Sequence, residues 1–470
     1  MIKNDKLHEE CAIFAVSLNN EKEAVGITYN GLLALQHRGQ EGSGIAAIDD
    51  NKIICHKDIG LINEVFTPDI LQTMPNSLAA IGHNRYSTTG TNVKENVGPF
   101  VTEFLTGRIA TAHNGNIINA KEIKDELLSI GINFNATSDS EVIACLIGYH
   151  IMKEGHSLPG VTTACKRLKG AFSLLILNSH NKITAVRDPN GYRPLCIGKN
   201  ENGMAVASES CGLEACGFEF VRDVAPGEIV VIENGKIIHE QVNLTEKDKN
   251  CGLCIFEYVY FARPDSTIDN LSVYEARVNM GRILADEYPV DADLVCGVPD
   301  SGLEAASGYS LQSGIPLRQG FVKNRYIGRS FIYPTQSQRE NAVRLKLNPL
   351  SANIKGKKIV LVDDSIVRGT TSAKIIKTLK SAGAKEVHMR ISSPPFLFTC
   401  HYGTDIDSEE NLIANKMSID EICKFIGADS LGFISVDGLK TACQKSTMQF
   451  CTNCFTGDGL YSDISKYELG

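Results

Sequence analysis

One stretch of the second half, residues 357–379, restricts the possible folds of this chain more than any other. Its sequence is KKIVLVDDSIVRGTTSAKIIKTL: β-branched apolar residues end in two adjacent acids, small hydroxylated residues follow, and a helix-forming segment comes last. A buried strand followed by a loop and a helix is the repeating unit of a parallel sheet covered by helices. DADLVCGV at 291–298, followed by a helix-forming segment at 303–314, repeats this order. We therefore predict an α/β domain with a parallel sheet.

The loop after this strand has the composition of a phosphate site. Asp363 and Asp364 precede the segment Ser365–Ser372, which supplies hydroxyl groups and Gly369 ahead of the helix. At the carboxyl end of a parallel strand, such a loop directs backbone N–H groups towards an anion, and the helix N-terminus adds partial positive charge. The two acids favour a sugar or a hydrated Mg²⁺, and the loop does not match the GxxxxGK[ST] pattern of one class of ATP site. An acidic turn that only caps a helix is the alternative.

Residues 11–240 carry short alternating or apolar runs, which are typical of an antiparallel domain with several layers. Strands are predicted at 42–49, 108–115, 171–178 and 228–240, and helices at 120–131 and 140–155. The polar stretch QVNLTEKDKN at 241–250 suits a domain boundary, and an aromatic strand is predicted directly after Cys254.

The length of 470 residues exceeds what one hydrophobic core usually serves, so we expect more than one domain. The predicted divisions are a leader at 1–10, a first domain at 11–240, a second domain at 255–450 and a C-terminal segment at 451–470.

Cys11 lies between the polar leader and the apolar run Ala12–Val16, which is the first predicted strand. If the leader is removed after Glu10, the residue gains a free α-amine. That amine can act as the general base for its own thiol. A cysteine at such a position, taken alone, is more often structural, so other residues have to decide.

Charge and hydropathy exclude some classes of partner. The net charge of −8 argues against nucleic acid, and no apolar run reaches the ~20 residues of a membrane span. The leader lacks the apolar segment of a secretory signal, so we expect a cytoplasmic protein with reduced cysteines.

Most of the fifteen cysteines lie in apolar or mixed runs, but Cys11, Cys254 and the CTNC pair at 451–454 do not. The pairs CGLC (251–254) and CTNC would allow a structural zinc site. Four thiolates can equally hold a [4Fe–4S] cluster, and unligated thiols are the third possibility.

Residues 357–379 resemble the phosphoribosyl-pyrophosphate (PRPP) signature of type I phosphoribosyltransferases. The resemblance implies that the two acids face the ribose hydroxyls and that the loop binds the 5-phosphate. VPDSG at 298–302 is similar to the family's pyrophosphate loop, with Asp300 and Ser301 near a Mg²⁺ ion that neutralises the leaving group. The implied PRPP residues are Asp300, Ser301, Asp363, Asp364, Ser365, Arg368, Gly369, Thr370, Thr371 and Ser372. The implied ligands of one Mg²⁺ per subunit are Ser301, Asp363 and Asp364.

Four short motifs of the first half, together with Cys11, resemble the glutaminase domain of N-terminal-nucleophile amidotransferases. They are LQHRGQEGSG at 35–44, GHNRYSTTG at 82–90, AHNGNI at 112–117 and TSDSEV at 137–142. The resemblance implies an α+β fold of four αββα layers with Cys11 as the nucleophile.

The same resemblance assigns roles to six further residues. Arg85 and Asp139 would bind the α-carboxylate and α-amine of glutamine. The Asn114 side chain and the Gly115 N–H would form an oxyanion hole. The remaining two residues, which would line the pocket, are Arg38 and Gly39.

A glutaminase joined to a PRPP site resembles the amidophosphoribosyltransferase family over nearly all of residues 11–457. The resemblance implies that ammonia from glutamine displaces pyrophosphate from PRPP, which gives 5-phosphoribosylamine, glutamate and pyrophosphate in the committed step of purine synthesis. It implies an interdomain ammonia channel, because ammonia in neutral water is mostly protonated and then has no lone pair for the attack. It also implies a homotetramer that purine nucleoside mono- or diphosphates inhibit.

The basic segment 321–350 is the predicted lid over PRPP, with a solvated surface loop as the alternative. Its cationic residues are Lys323, Arg325, Arg329, Arg339, Arg344 and Lys346.

Two rival functions fit the sequence less well. A glutaminase-fused enzyme of glucosamine-6-phosphate or asparagine synthesis has no need of VDDSIVRGTTS. A PRPP-binding regulator without catalysis would have no reason to keep Cys11, Arg85, Asn114 and Asp139 together.

One branch of the family has a cleaved leader and one [4Fe–4S] cluster per subunit. Its ligand pattern falls on Cys254, Cys400, Cys451 and Cys454 and leaves Cys251 and Cys443 as plain thiols. The resemblance implies a structural cluster that fastens the C-terminal segment across the two domains. The chain departs from the family at three positions: Ala12 and Ala15 replace common glycines, and Gly98 replaces a usual glutamine.

Overall fold

The computed structural model describes residues 11–86, 92–105, 107–242, 244, 252–324, 347–404, 406, 408–446 and 449–458. The predicted leader at 1–10, Cys251, residues 87–90 and residues 325–346 of the predicted lid lie outside the described residues. Within the described part of the chain, no helix is both long and apolar enough to cross a membrane.

The first half forms two antiparallel sheets that pack face to face. The strands of the first sheet, in spatial order, are Glu219–Asp223, Cys196–Asn200, Gly203–Ala207, Ala12–Leu18, Ala79–Arg85, Gly42–Asp49 and Lys52–Ile59. The strands of the second sheet, in spatial order, are Lys236–Val242, Glu228–Glu233, Ile183–Arg187, Gly170–Asn178, Gly107–Ile117 and Phe100–Phe104.

Helices cover the outer face of each sheet. Those on the first sheet are Ala24–Ala34, Ile62–Val65, Pro68–Thr73 and Ser210–Ala215. Those on the second sheet are Ala120–Ser129, Asp139–Glu154 and Ser157–Cys165. A single 3₁₀ turn, Lys94–Asn96, lies among the described residues between the fourth and fifth strands in chain order.

The central strand Ala12–Leu18 shows why four layers form. Side chains alternate between the two faces of a strand, and every residue of this one is buried. Phe14 and Val16 pack against the first helix layer, whereas Ile13 and Ala15 pack against the second sheet. The predicted four-layer αββα arrangement is therefore confirmed.

The second half contains a four-stranded parallel sheet, as predicted. Its strands in spatial order are Leu294–Gly297, Lys358–Asp363, Glu386–Ile391 and Ser430–Phe433. The α-helices of this half among the described residues are Val273–Glu287, Leu303–Ser313, Ser351–Ile354, Thr370–Ser381, Ile419–Ile426, Val436–Ala442 and Asn453–Thr456, with 3₁₀ turns at Glu409–Asn411 and Ile413–Asn415. Val360 and Ile359, adjacent in one strand, belong to different hydrophobic clusters, so both faces of the sheet are covered.

Three short ladders complete the described strands. Leu253–Cys254 pairs in parallel with Phe450–Cys451, which ties the C-terminal segment to the start of the second half. The other two ladders are antiparallel: Thr267–Ile268 with Leu271–Ser272, and Phe321–Lys323 with Leu347–Pro349.

The aromatic strand predicted after Cys254 is wrong, because the run forms a π-helix at Glu257–Phe261. The Ala262 N–H donates to the Glu257 carbonyl at 3.1 Å, the i→i+5 bond of a π-turn. Apolar and aromatic residues here are buried on all sides rather than on alternate faces, and the Tyr258 hydroxyl donates to the Ile268 carbonyl at 2.6 Å. Short apolar runs of this kind cannot be assigned to strand or helix by periodicity alone.

Candidate active site

Cys11 lies at the amino end of the central strand, where the sheet brings it beside Arg85. Ala12 is opposite Asn84 in an antiparallel register, so the next pair outwards is Cys11 and Arg85. The Cys11 thiol lies 3.4 Å from both the backbone nitrogen and the carbonyl oxygen of Tyr86. Arg85 is 3% exposed, so a buried cation lies at the position opposite Cys11.

Arg38 and Gly39, which the sequence predicts to line the glutamine pocket, lie at the same end of the strand. The Arg38 Nε–H donates to the Cys11 carbonyl at 3.2 Å, and its side chain is fully buried. Residue 39 must lack a side chain, since a Cβ there would lie 2.5 Å from the Asn84 carbonyl oxygen. The absence of a side chain at Gly39 thus lets the Arg38 turn approach the strand that carries Arg85.

Asn114 and Gly115 lie on the second sheet, in the strand Gly107–Ile117. Asn114 is 1% exposed, and neither its Oδ1 nor its Nδ2 has a hydrogen-bond partner among the described residues. A buried amide in this state is costly unless a ligand or water completes it. Gly115 has a φ of 142°, and a Cβ there would lie 2.1 Å from the Ala171 carbonyl oxygen, so only glycine fits.

Asp139 is the first residue of the helix Asp139–Glu154, where the helix dipole favours a carboxylate. Its Oδ2 accepts the Ile117 N–H at 3.1 Å and lies 3.8 Å from His113 Nδ1. Burial lowers the pKa of His113, although the charge of Asp139 opposes this shift. His113 is therefore largely neutral at pH 7, and Asp139 joins the strand of Asn114 to its covering helix.

His83 is a buried residue near these groups that the sequence analysis did not assign. It lies two residues before Arg85, on the face of the strand that looks towards the second sheet. Burial lowers its pKa to about 3, with the charges of Arg85 and His113 adding to the effect. A Cβ at Gly98 would lie 2.6 Å from His83 Nδ1, so the glycine at a position where the family usually has glutamine makes room for this ring.

The second candidate site lies at the carboxyl end of the strand Lys358–Asp363. One small cavity there is lined by Asp363, Asp364, Ser365, Ile366, Val367, Gly369, Thr371 and Ser372. The predicted loop Ser365–Ser372 is shorter than expected, because the helix begins at Thr370 with Gly369 as its N-cap at φ 79°. Thr370, Thr371 and Ser372 therefore form the first helical turn, and Arg368 and Thr370 are not among the residues that line the cavity.

The VPDSG turn meets this cavity through its hydroxyl group. Ser301 Oγ donates to Asp364 Oδ1 at 2.5 Å, and Ser365 Oγ donates to Asp364 Oδ2 at 2.5 Å. Asp300 forms an ion pair with Lys323, the first basic residue of the predicted lid, and the Pro299–Asp300 peptide bond is cis. The two loops that the sequence predicted to share a ligand thus lie together.

The four cysteines Cys254, Cys400, Cys451 and Cys454 line a single cavity. Tyr192 and Arg193 of the first half also line it, so the cavity lies between the two halves. Burial raises the pKa of the Cys454 thiol, and the other three cysteines raise it further. Cys443 is buried elsewhere in the core of the second half.

Sequence reasoning also missed a buried carboxylate that links the two halves, Glu257. Its side chain accepts two hydrogen bonds from Arg38, at 2.8 and 2.9 Å. An acid inside the apolar run CIFEYVYF was the available signal, because a buried carboxylate requires a buried cation as partner.

Comparison with known proteins assigns a class to each half. The model of the glutamine amidotransferase domain matches residues 83–215, and the model of the phosphoribosyl transferase domain matches residues 269–392.

Relatives and solved structures match nearly the whole chain. An amidophosphoribosyltransferase of Methanocaldococcus jannaschii is 46% identical over 459 residues, which cover 95% of this chain and 97% of the relative. One of Synechococcus elongatus is 47% identical over 458 residues, which cover 96% and 92%. A structure of the allosteric regulatory enzyme of purine biosynthesis matches with a TM-score of 0.88 and 43% identity, covering 97% of both chains. The glutamine PRPP amidotransferase of B. subtilis, complexed with ADP and GMP, matches with a TM-score of 0.87 and 43% identity, covering 96% of this chain and 98% of that one.

The fold and the two sites thus define an enzyme that joins a class-II glutamine amidotransferase to a type I phosphoribosyltransferase. The chain belongs to the amidophosphoribosyltransferase family, whose reaction is the first step of purine biosynthesis.

Proposed function

We propose that this chain releases ammonia from glutamine at Cys11 and transfers it to PRPP at the cavity formed by Asp363–Ser372. The products are 5-phosphoribosylamine, glutamate and pyrophosphate. The observation that carries the proposal is the presence on one chain of a buried Asn114 amide without a described hydrogen-bond partner, a cysteine at the end of a central strand and an acid–hydroxyl cradle. An enzyme that only hydrolyses glutamine would not need the acid–hydroxyl cradle, and a protein that only binds PRPP would not need the glutaminase residues.

In the glutaminase half, removal of residues 1–10 would leave the Cys11 amine as base for its own thiol. The thiolate attacks the carboxamide carbon of glutamine, and the Asn114 amide and Gly115 N–H stabilise the oxyanion. Arg85 and Asp139 hold the substrate's α-carboxylate and α-amine. Arg38 fixes the Cys11 carbonyl, which orients the end of the chain.

In the phosphoribosyl half, the first turn of the helix Thr370–Ser381 and the preceding loop bind the 5-phosphate through N–H groups and hydroxyls. Asp363 and Asp364 accept hydrogen bonds from the ribose hydroxyls, and Asp300 with Ser301 faces the pyrophosphate. Mg²⁺, held by Ser301, Asp363 and Asp364, would supply the charge that neutralises the departing pyrophosphate.

The two sites require a route for ammonia that excludes water, because ammonium has no lone pair. We propose that the segment 321–350 closes over PRPP and completes this route. The Lys323–Asp300 ion pair, at the root of the segment, supports a link between the lid and the pyrophosphate loop. We also propose the division into 1–10, 11–240, 255–450 and 451–470, a homotetramer, and a cytoplasmic location.

The four-cysteine cavity supplies the donor set of a [4Fe–4S] cluster, since four thiolates can hold such a cluster. The four thiols come from three separate segments of the second half and converge on one cavity, which Tyr192 and Arg193 of the first half also line. We propose that Cys254, Cys400, Cys451 and Cys454 hold the cluster, which would fasten the C-terminal segment between the two halves.

Feedback control by purine nucleotides is the remaining part of the proposal. The support is the B. subtilis relative, which was solved with ADP and GMP bound. A nucleoside monophosphate carries a ribose 5-phosphate like that of PRPP, so the cradle Asp363–Ser372 is the expected site of competition.

The reaction is tested by measuring glutamate release from glutamine with and without PRPP. We expect release to depend on PRPP and to be accompanied by equal amounts of pyrophosphate. A PRPP-independent glutaminase would contradict the proposal, and so would a protein that binds PRPP but releases no glutamate.

Processing and the cluster are tested together on protein purified without oxygen. Intact mass is expected to show the loss of residues 1–10, and analysis should give about four irons and four sulfides per chain. Fully active protein that retains Met1, or zinc in place of iron, would contradict this part of the proposal.

Replacement of the unpaired amide is expected to affect only glutamine chemistry. Asn114→Ala should lower the glutamine-dependent kcat by about 100- to 1,000-fold, the usual cost of losing one oxyanion donor. Asn116→Ala is the matched control, since this amide is already engaged, donating to the His401 carbonyl at 2.9 Å. Equal losses in the two variants would argue against the oxyanion role.

A further inference from the structure

Four buried charged side chains form one network between the two halves of the molecule: Arg38, Arg193, Glu209 and Glu257. Each of these side chains is at most 1% exposed. Arg38 Nη1 lies 2.7 Å from Glu209 Oε1, and Arg193 Nη1 lies 3.5 Å from Glu257 Oε1. Two cations face two carboxylates, so the network is balanced in charge and costly to interrupt.

Glu257 occupies the centre of this network and controls the orientation of Arg38. Its carboxylate accepts the Nη2 of Arg38 at 2.8 Å and the Nη1 at 2.9 Å, a bidentate pair that fixes the guanidinium plane. The Nε–H on the same plane donates to the Cys11 carbonyl at 3.2 Å. Rotation of the guanidinium would therefore shift or break the bond to the nucleophilic residue.

The backbone that carries Glu257 is held from the phosphoribosyl side. Arg277 donates to the carbonyls of Tyr258 at 2.8 Å, Tyr260 at 3.0 Å and Ala262 at 2.6 Å, which fixes the carbonyl end of the π-helix. The Arg277 side chain is 4% exposed, and burial lowers its pKa, whereas the charges of Glu304 and Asp364 raise it.

Arg277 in turn faces the pyrophosphate loop. Its Nη1 lies 3.8 Å from Glu304 Oε2, in the first turn of the helix Leu303–Ser313. That helix begins two residues after Ser301, whose hydroxyl donates to Asp364. A path thus runs from Asp364 to Ser301 by a hydrogen bond and along the backbone from Ser301 to Glu304. It continues through the ion pair of Glu304 with Arg277 to the π-helix.

We propose that Glu257 is a positioning residue that transmits occupancy of the phosphoribosyl site to the Cys11 carbonyl through Arg38. The proposal rests on the proposed function of the two sites. When a ligand in the phosphoribosyl site shifts Ser301 and Asp364, the ion pair of Glu304 with Arg277 shifts as well. Arg277 then moves the carbonyl groups of the π-helix to which it donates. A π-turn holds one more residue than an α-turn, and such turns frequently occur at functional sites. The carboxylate at its start then sets the angle at which Arg38 holds the nucleophilic residue.

The test compares Glu257→Gln with Asp269→Asn in the full-length protein. Asp269 is the matched control because it forms another buried, bidentate pair between the halves, with Arg187 at 3.1 and 3.2 Å. Among the described residues, its carboxylate contacts none of the four side chains of the network. Glu257→Gln should lower the glutamine-dependent kcat by about 10- to 100-fold, since misplacement of a reacting group by about 1 Å costs about 100-fold. The KM for glutamine and the rate with added ammonia should be unchanged.

Two further readouts separate positioning from simple loosening of the interface. The factor by which PRPP stimulates glutamate release should fall in Glu257→Gln and stay at the parent value in Asp269→Asn. Combining Glu257→Gln with Arg277→Lys should lower this factor no further than Glu257→Gln alone, because both changes interrupt one route. If Glu257→Gln does not accumulate as folded protein, Glu257→Asp, which keeps the charge but draws the carboxylate back from the Arg38 guanidinium, provides the same comparison.

Two results would overturn the proposal: a full stimulation factor in Glu257→Gln, or an equal loss in Asp269→Asn. Failure of the proposed function would look different, since the parent protein itself would then show no PRPP-stimulated glutamate release.

Discussion

Cys11→Ala is expected to abolish synthesis of 5-phosphoribosylamine from glutamine and to leave synthesis from added ammonia intact. The loss should be at least about 1,000-fold, because no other group can form the thioester. The ammonia-dependent rate should persist because the cradle around Asp364 lies in the other half of the molecule and has its own sheet. Both rates can be measured on the same preparation by following pyrophosphate release.

Cys55→Ala is the control for this experiment. Cys55 lies in the strand Lys52–Ile59 of the same sheet, but burial raises its pKa to about 11, so its thiol stays protonated at neutral pH. Its replacement should spare both activities. If Cys11→Ala removed the ammonia-dependent rate as well, the division of labour between the two halves would be wrong.

The hydrophobic patterns of short segments predicted most of the fold. The run Ala12–Leu18 and the unit Lys358–Ser381 have strand and helix signals that agree with their final surroundings, so pattern and structure coincide. The helix Thr370–Ser381 began earlier than predicted because Thr370 and Thr371, weak helix formers, follow a glycine that caps the first turn. The sequence therefore predicted these hydroxyl groups in the loop, whereas the structure has them in the first helical turn.

The π-helix could not have been predicted from periodicity, because its form depends on partners that are distant in the sequence. Glu257 is stabilised there by Arg38, 219 residues away, and Arg277 binds the carbonyl end. The same distance explains why Arg38 was predicted to lie in the pocket without a specific role. Its contact with the Cys11 carbonyl becomes visible only when the strand and the turn are placed together.

Unlike Arg38, Asn114 and Asp139 were given specific roles on the basis of the sequence. Short motifs around them resemble those of N-terminal-nucleophile amidotransferases, and that resemblance predicts the roles of both residues. The unpaired state of the Asn114 amide is a property of the packed layers and has no sequence signal. A binding pocket depends on which polar groups remain without hydrogen-bond partners after folding, and the pattern of the sequence does not indicate this.

Asp364→Asn is expected to lower both the glutamine-dependent and the ammonia-dependent rates by about 100-fold or more, since a cation site and sugar alignment are lost together. The carboxylate accepts hydroxyl hydrogens from Ser301 and Ser365, and an amide can accept only one of these bonds while its NH₂ group opposes the other donor. PRPP should also lose its stimulation of glutamate release. Isothermal titration with PRPP and Mg²⁺ would measure the accompanying loss of binding.

Asp293→Asn is the control, because Asp293 lies at the amino ends of the strands of the same parallel sheet, whereas the acid pair lies at their carboxyl ends. Asp293 precedes the strand Leu294–Gly297, and its carboxylate accepts the Lys358 N–H at 2.8 Å, far along the strand from the acid pair. Its replacement should leave both rates unchanged. Because Cys11→Ala should remove one activity and Asp364→Asn both, an Asp364→Asn protein that still used ammonia normally would exclude the acid pair as the PRPP site. The glutaminase half would then be feeding ammonia to a different position in the molecule.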